Sequence, residues 1–307
     1  MSLKHQINEL IDKYGRYDTK RVRRISSATE EKRKQTIHSA FREMRELGMR
    51  FKDVKSLKNK HIVSLVRHWE EKGQSASTIT NKLSVLRTFS YWIGKPTMIG
   101  NPVDYVKNPE SVKRYHYARE DKTWSTKVDI AEKLQEVIKK DPTVGIQLQL
   151  QLAFGLRMEE AALLKPHHAD KGNYLDVNRG TKGGRDRIVK IENPFQRYAI
   201  DEAKKHAELN GSTIPKKDTF NQWRNHYYYI VRSCGIRRED GITSHGLRHE
   251  RLNQIYLEIT GKEGPLRRDK EEKVDPELDK FARQEVAETA GHSRDQIASM
   301  YLGSNVK

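Results

Sequence analysis

The sequence predicts a mainly α-helical protein with a small β component, an α+β protein in two parts. Apolar residues recur at the three- and four-residue spacing of amphipathic helices along most of its 307 residues. In the region 174–190, two alternating segments flank a glycine-rich turn, which is typical of an antiparallel β-hairpin. The stretch 94–121 contains three prolines and little periodicity, so we place a domain boundary near residue 115.

The first domain, 1–115, should contain three helices whose outward positions are rich in Lys and Arg. Their apolar stripes run over Ile37–Leu47, Ile62–Trp69 and Ile79–Ile93. We expect the second helix to stop at Gly73, because glycine commonly follows the last helical residue. The weakly periodic residues that end this domain are expected to be a linker.

The second domain, 116–307, should also be mostly helical. Its first helix should follow Asp129, which has the spacing of a capping box with Glu132. Residues 145–157 leave two alternatives open, because their apolar residues fit both the alternation of a strand and one face of a helix.

Further helices are expected beyond the hairpin: from Pro194 to near Gly211, in a segment ending before Gly235, over 244–261, and from Asp275–Pro276 onward. A last short helix should begin near Arg294. Its predicted N-terminal signal is a capping box formed by Ser293 and Gln296.

The charge of the chain is strongly positive, with a formal net charge of +17 and a pI of about 9.7. Residues 1–120 hold 26 Lys and Arg against 13 Asp and Glu, whereas residues 121–307 hold 33 against 29. So localised an excess favours nucleic acid as the partner of the first domain. The alternative is a basic surface that serves solubility alone.

The sequence disfavours several other protein classes. No stretch reaches the roughly 18 apolar residues of a membrane span, and the N-terminus lacks the apolar core of a signal peptide. The single cysteine, Cys234, leaves neither a disulfide framework nor a Cys-x-x-Cys metal site. A reducing cytoplasm is the expected location.

The segment 244–261 combines a core stripe with two cationic residues. On its apolar face, Arg248 lies one turn before Leu252, and His245 lies one turn before Arg248. Burying an unpaired arginine is very unfavourable. Either a carboxylate neutralises Arg248, or the stripe opens into a cleft that holds an anion.

Two more cations stand where an anion would explain them. Arg157 precedes a short apolar helix, and a positive charge at a helix N-terminus opposes the helix dipole unless an anion lies there. Lys182 occupies the turn of the hairpin, where glycines let the tip approach a ligand closely. A merely solvated lysine is the alternative.

The terminal stretch AGHSRDQIASMYLGS holds His292 directly after Gly291. Tyr301 follows nine residues later, on the inner face of the last expected helix. Because a tyrosine on an inner face is ordinarily a core residue, this spacing alone leaves the role of Tyr301 open.

In their order along one domain, these residues resemble the signature of the tyrosine recombinases, the phage-type and Xer-type integrases. The residues that carry the likeness are Arg157, Lys182, His245, Arg248, His292 and Tyr301. The boxes FGLRMEEAALL, TKGGRDRIVKI, SHGLRHE and AGHS…Y are similar too, and STITNKLSVLRTFSYWIG…NP resembles the family's helical core-binding domain. The resemblance implies a SAM-like, helical core-binding domain over 1–115 and a mixed, mostly helical catalytic domain over 116–307.

The resemblance also implies a role for each residue. Tyr301 would be the nucleophile that becomes linked to a DNA 3′ phosphate. Arg157 and Arg248 would clamp the phosphate oxygens, because a guanidinium binds such oxygens in pairs and keeps its charge. His292 would donate a further hydrogen bond to the phosphate.

Proton transfer is assigned in the same way. His245 would accept the proton of the nucleophile, and Lys182 would protonate the leaving 5′ oxygen. Glu160, three residues after Arg157, would orient the group.

By this resemblance the chain would be a site-specific recombinase of double-stranded DNA, an integrase that integrates or excises a mobile element. A monomer in free solution would assemble into a tetramer on two paired sites, with accessory DNA-bending or directionality proteins as further candidate partners. Neither a metal nor another cofactor is implied. A zinc site at His245, His249 and Glu250 would need the His-Glu-x-x-His order, which is absent.

Two other functions stay open at this point. A type IB topoisomerase-like enzyme would relax DNA by the same chemistry, whereas a regulator with a degenerate site would bind DNA without cleaving it.

The chain departs from the family pattern in two places. The interval from His245 to His292 is longer than is typical, with the excess at 261–280, which is either a solvated excursion or a contact with DNA or a neighbouring protomer. Six residues follow Tyr301, whereas many relatives continue with an element that docks on the adjacent protomer. We therefore expect Tyr301 to be poorly positioned in the free protein.

Overall fold

The computed structural model describes residues 1–18, 23–269 and 271–305. The chain divides into two compact units, 1–115 and 116–307. Both are built from helices, and a two-stranded antiparallel sheet lies in the second, so the predicted mainly α fold with a small sheet is confirmed. Across the described ranges, none of the helices combines the length and apolar character that crossing a bilayer requires.

Among the residues that the structure describes, the first unit contains four α-helices. They are α1 (Leu3–Tyr14), α2 (Ser27–Glu46), α3 (Asn59–Glu71) and α4 (Ala76–Trp92). The side chains of Ser2, Ser26 and Ser75 cap α1, α2 and α4, each accepting a hydrogen bond from a backbone N–H of the first turn. The three predicted helices are present, whereas α1 was missed because its two buried apolar residues make only a short stripe.

The end of the first unit is not a linker, as the sequence suggested, but packed structure. Ile99, Tyr105 and Val112 are buried in the same core as α2, α3 and α4. The carboxylate of Glu70 accepts hydrogen bonds from the backbone N–H groups of Lys107 and Asn108 and from Ser111 Oγ. Isolated apolar residues between prolines have no period, so the sequence pattern could not reveal this packing.

The second unit contains nine helices and the sheet, within the ranges that the structure describes. The helices are α5 (Ile130–Lys140), α6 (Pro142–Phe154), α7 (Met158–Leu163), α8 (Pro166–Ala169), α9 (Pro194–His206), α10 (Phe220–Ser233), α11 (Ser244–Thr260), α12 (Pro276–Thr289) and α13 (Ser299–Leu302). The strands β1 (Tyr174–Val177) and β2 (Arg187–Lys190) pair antiparallel, with Tyr174 opposite Lys190, so the predicted hairpin is confirmed.

The ambiguous segment is the helix α6, which packs against α5, α9 and α11. It is buried on all sides because its glutamines find polar partners inside the protein. Gln147 donates to Thr213 Oγ1 and accepts from Trp223 Nε1, and Gln151 donates to the hydroxyl of Tyr227. A helix buried all round has no amphipathic signature, which is why periodicity left the choice open.

Two helix ends differ from the prediction. The helix α9 stops at His206 rather than near Gly211, since Nε2 of His167 lies 3.0 Å and 3.1 Å from the carbonyl oxygens of Lys204 and Ala207 and satisfies them. The terminal helix begins at Ser299 and follows a 3-10 turn over Asp295–Ala298. The predicted Ser293–Gln296 capping box does not form, because the backbone N–H of Gln296 donates to Asp295 instead.

Candidate active site

Arg157 lies where the chain reverses between α6 and α7. Gly155 ends α6 in the left-handed conformation, at φ 62°, and Arg157 is the residue before α7. The carboxylate of Glu160, in the first turn of α7, accepts from the backbone N–H of Arg157 at 2.7 Å and from its Nη1 at 2.6 Å. The negative charge of this carboxylate offsets the otherwise unfavourable positive charge of Arg157 at the start of the helix.

Glu160 is fully buried and is surrounded by cations. Arg187, on β2, donates to both carboxylate oxygens at 2.8 Å, and Nη1 of Arg248 lies 3.8 Å away. Burial alone would raise the pKa of Glu160, but the hydrogen bonds and charge of Arg187 and the charge of Arg157 outweigh it and lower the pKa to about 2. The carboxylate is therefore ionised and orients the arginines.

Arg248 projects from α11 into the centre of the unit and is completely buried. Its Nη1 donates to the carbonyl of Gly155 and its Nη2 to that of Ala290, each at 2.5 Å. Its Nε donates to the hydroxyl of Tyr301 at 3.2 Å. Among the described residues, these bonds engage three of its five N–H groups.

The carbonyl of Ala290, at the end of α12, joins the two arginines. Nη2 of Arg157 donates to it at 3.0 Å and lies 3.3 Å from Nε2 of His292. Since a guanidinium can only donate, Nε2 of His292 accepts in this arrangement. Burial first, and then the charges of Arg157 and Arg248, lower the pKa of His292 to about 4.

His249 of α11 packs against Tyr301, and His245 packs against His249. The ring centroid of His249 lies 4.9 Å from that of Tyr301 and 5.2 Å from that of His245. His245 keeps surface open to solvent, but lost hydration and the charges of Arg248 and Arg157 lower its pKa to about 4. His249 is buried, and for the same first reason its pKa falls to about 3. Both imidazoles are thus neutral at neutral pH.

Lys182 stands apart from this group on the exposed turn between β1 and β2. Its charge contributes to the lowered pKa of His292, but none of the hydrogen bonds among the described residues involves it. The turn itself is fixed at Gly180, where φ is +68° and a Cβ would lie only 2.7 Å from the carbonyl oxygen of Glu159. The hairpin therefore approaches the start of α7 closely.

Tyr301 is well positioned, contrary to the sequence-based expectation. Its side chain is buried, and its backbone carbonyl accepts from Nδ2 of Asn253 at 3.3 Å while its hydroxyl contacts Arg248. The expectation was wrong because it counted the residues after Tyr301 and not the contacts that the rest of the chain makes with them.

Sequence reasoning missed two residues of this group. Arg187 is one cation among several in TKGGRDRIVKI, and nothing in that pattern distinguishes it from its exposed neighbours. His249 was considered only as a zinc ligand, although its position four residues after His245 already placed it on the same helix face. The third member of that zinc set, Glu250, instead accepts hydrogen bonds from the backbone N–H groups of Trp124 and Ser125.

Two family models match the chain. One, described as the N-terminal domain of phage integrases, matches residues 20–99, and one described as integrase matches residues 118–253. The second match ends before His292 and Tyr301, so these two residues join the group through the contacts with Arg157 and Arg248. Among curated proteins, none matches this sequence.

Several solved structures are similar over nearly the whole chain. A lambda integrase dimer bound to a COC′ core site has a TM-score of 0.64 at 17% identity, covering 99% of this chain and 78% of that one. A Tn1549 transposon integrase in complex with transposon right end DNA has a TM-score of 0.60 at 14% identity, covering 97% and 93%. A lambda integrase tetramer bound to a Holliday junction has a TM-score of 0.61 at 15% identity, covering 100% and 79%. At these identities the similarity is one of fold.

Proposed function

Because the chain belongs to the integrase family of tyrosine recombinases, we propose that it cleaves and rejoins DNA at a specific site through a covalent bond between Tyr301 and a 3′ phosphate. One observation carries this proposal. Arg157 and Arg248 donate to the same carbonyl oxygen, and each also contacts one of the two residues beyond the family match, His292 and Tyr301.

The paired arginines suit the transition state of phosphoryl transfer. A phosphodiester carries one negative charge, and more charge develops on its nonbridging oxygens as the nucleophile attacks. Donors already aimed at that charge supply a large part of catalysis, because they need not reorganise. Glu160 keeps Arg157 in its orientation and neutralises part of the local positive charge.

Tyr301 is the proposed nucleophile. Its hydroxyl oxygen accepts from Arg248, so the positive charge that would bind the phosphate also stabilises the attacking oxygen. The proposed proton acceptor is His245, which is neutral at neutral pH because its pKa is lowered to about 4. The ring of His249 packs on Tyr301 and acts as a positioning residue.

Lys182 is the proposed acid for the leaving group. As the bond from phosphorus to the Tyr301 oxygen forms, the bond to the 5′ oxygen breaks, and that oxygen takes a proton from Lys182. His292 contributes a hydrogen bond to the phosphate from Nδ1, which carries the ring proton while Nε2 accepts from Arg157. Rejoining reverses these steps, so the covalent link conserves the energy of the broken bond.

The substrate in this proposal is double-stranded DNA at the ends or target of a mobile element. Integrases of similar fold are bound to DNA in their solved structures, one of them as a tetramer on a Holliday junction. The excess of cations in residues 1–120 supports a core-binding role for the first domain. We propose that four protomers act on two paired sites, with accessory DNA-bending or directionality proteins as further partners.

The direct test captures the covalent intermediate. The protein is incubated with a pool of nicked duplexes whose central segment is randomised, and adducts that survive denaturation are isolated and sequenced, which also gives the site. We expect adducts with the wild type, none with Tyr301→Phe, and undiminished adducts with Tyr229→Phe, a control at an exposed tyrosine. Adducts that persist in Tyr301→Phe would overturn the assignment of the nucleophile.

The same captured site separates the alternative functions. Exchange between two copies of the site supports recombination, whereas relaxation of a supercoiled plasmid without exchange would assign a topoisomerase-like activity. Binding to duplex DNA with no adduct on any member of the pool would leave a DNA-binding regulator.

A further inference from the structure

The helix that carries Tyr301 is a single turn, Ser299–Leu302. A turn of this length has almost no stability of its own, because nucleating a helix costs more than one hydrogen bond returns. Its position must therefore be imposed by its surroundings. In the described part of the chain these surroundings include the segment 261–269, which lies within the stretch that makes the interval between His245 and His292 long.

The first set of contacts comes from that segment. The backbone N–H of Leu266 donates to the carbonyl of Leu302 at 2.9 Å, and Nη2 of Arg268 donates to Oδ1 of Asn305 at 2.9 Å. Gly303 has a φ of +86°, and a Cβ at this position would lie 2.9 Å from that of Leu266. The chain after Tyr301 is thus packed closely against 261–269.

The second set comes from α12. Nη1 of Arg283 donates to Oγ of Ser299 at 3.2 Å and to the carbonyl of Gly303 at 3.4 Å, one contact on each side of Tyr301. Asp279 fixes this arginine by accepting from its Nε at 2.8 Å, and accepts from Nδ2 of Asn305 at 3.1 Å as well. Arg283, whose position is fixed by Asp279, therefore holds the turn on both sides of Tyr301.

We propose that residues 264–268, Asp279 and Arg283 form a cis brace, which holds Tyr301 at Arg248 within one protomer. The inference rests on the proposed role of Tyr301 as nucleophile. It gives the long interval between His245 and His292 a task that is neither a solvated excursion nor a contact with DNA or a partner. Asp279 and Arg283 are positioning residues, since they act on the reaction through Tyr301.

The brace has a functional consequence. A protomer whose tyrosine is already docked can attack its own bound half-site without help from a neighbouring protomer. The first test therefore uses the captured site cut to a nicked half-site that accommodates one protomer. We expect the wild type to form adducts on the half-site at about the rate seen on the full site, with a rate constant independent of protein concentration once the DNA is saturated.

The second test loosens the brace. Arg283→Met removes both contacts with the turn, and losing hydrogen bonds to a charged group corresponds to roughly a tenfold or greater slowing of adduct formation. Asn305→Ala, at an exposed position where misfolding is not at issue, should slow it about threefold, because it removes the hydrogen bonds with Arg268 and Asp279 but solvent already competes for both. Arg283→Lys should recover part of the rate, because lysine keeps the charge and a donor for Asp279.

Two further measurements separate positioning from a general loss of structure. Affinity for the half-site should be unchanged in every variant, and hydrogen exchange should quicken over residues 298–305 but not in α6. Lys280→Met, which removes a charge from the exposed side of α12, is the matched control and should cleave like the wild type.

Two outcomes would contradict the brace. One is a wild-type cleavage rate in both Arg283→Met and Asn305→Ala, and the other is adducts that form on the full site but not on the half-site. Either result would leave the proposed recombinase chemistry intact. Absence of adducts from every substrate would instead contradict the proposed function itself.

Discussion

Arg187 shows how a single residue can organise a site without touching what reacts there. It donates to both oxygens of Glu160, and its Nε donates to the carbonyl of Thr289, one residue before the carbonyl that Arg157 and Arg248 share. Arg187 therefore connects the sheet to the first turn of α7 and to the end of α12. We treat it as a positioning residue for Arg157 and Arg248, the two arginines of the proposed site.

Replacing this residue tests that role. Arg187→Met should lower the free energy of unfolding by about 2 kcal/mol, because the buried Glu160 would keep only part of its compensation. Adduct formation should slow about tenfold or more, as Arg157 loses the fixed position of its carboxylate partner. Both are measurable, by urea unfolding and by single-turnover cleavage of the captured site.

A matched control exists on the same strand. Lys190→Met removes an exposed cation from β2 and should change neither the free energy of unfolding nor the rate of adduct formation appreciably. If Arg187→Met destabilised the fold yet cleaved at the wild-type rate, its role would be structural alone.

At this scale the sequence identified residues by their chemical type and order, and it missed those defined by contact. Arg157, His245, Arg248, His292 and Tyr301 were selected from their order and come together in one unit. Arg187 was not selected, because a buried arginine and an exposed one look alike until their partners are known. The acceptor character of His292 Nε2 likewise depends on which atom of Arg157 lies beside it.

Among the elements, the hairpin is the part whose geometry most directly affects the proposed chemistry. Its turn carries Lys182, and Gly180 lets that turn lie against the backbone of Glu159. Gly180→Ala should displace the turn and slow adduct formation about tenfold through the loss of proton donation. A substrate with sulfur in place of the 5′ bridging oxygen should abolish this defect, because a thiolate leaves without a proton.

The turn supplies its own control. Gly183 also has a positive φ, +76°, but a Cβ there would meet nothing within 4 Å. Gly183→Ala therefore carries a similar backbone strain without the collision, and it should cleave much faster than Gly180→Ala. Equal defects in the two variants would count against the close approach as the cause.

The helices with one apolar face and the hairpin could be predicted from the periodic spacing of their apolar residues. Elements that are buried on all sides, or that tertiary contacts hold, could not. The helix α6 is buried on every side, and the packed residues Ile99, Tyr105 and Val112 have no period at all. The turn of Tyr301 was expected as a capped helix, but tertiary contacts rather than a cap hold it.

For the whole molecule, the buried His249 makes stability depend on pH. Above pH 6.5, His249 is neutral in both the folded and the unfolded chain. Below it the unfolded chain gains a proton, while the folded chain, with its pKa lowered to about 3, does not, so the free energy of unfolding falls from pH 6.5 towards 3.

A titration of stability tests this. Between pH 7 and pH 5 the free energy of unfolding of the wild type should fall by about 2 kcal/mol more than that of His249→Phe, measured by urea denaturation. The phenyl ring keeps the packing on Tyr301 but has no proton to gain. Parallel curves for the two proteins would show that His249 does not carry the effect.

The charge of the whole chain leads to a prediction about salt. If the cations of residues 1–120 contact phosphates, the logarithm of the DNA association constant should fall linearly with the logarithm of salt concentration, with a slope several times −1. Equilibrium binding to the captured duplex measures this slope. A nearly flat dependence would favour the alternative, in which the basic surface serves solubility.

The carbonyl of Ala290 has a consequence of a different kind. It belongs to the main chain, so no substitution can delete it, and as the end of α12 it carries part of the helix's negative pole. Two guanidinium groups that repel one another are therefore brought side by side during folding, around an oxygen that resembles one of a phosphate. If DNA binds here as proposed, its phosphate meets a pair of arginines whose electrostatic work of assembly has already been done.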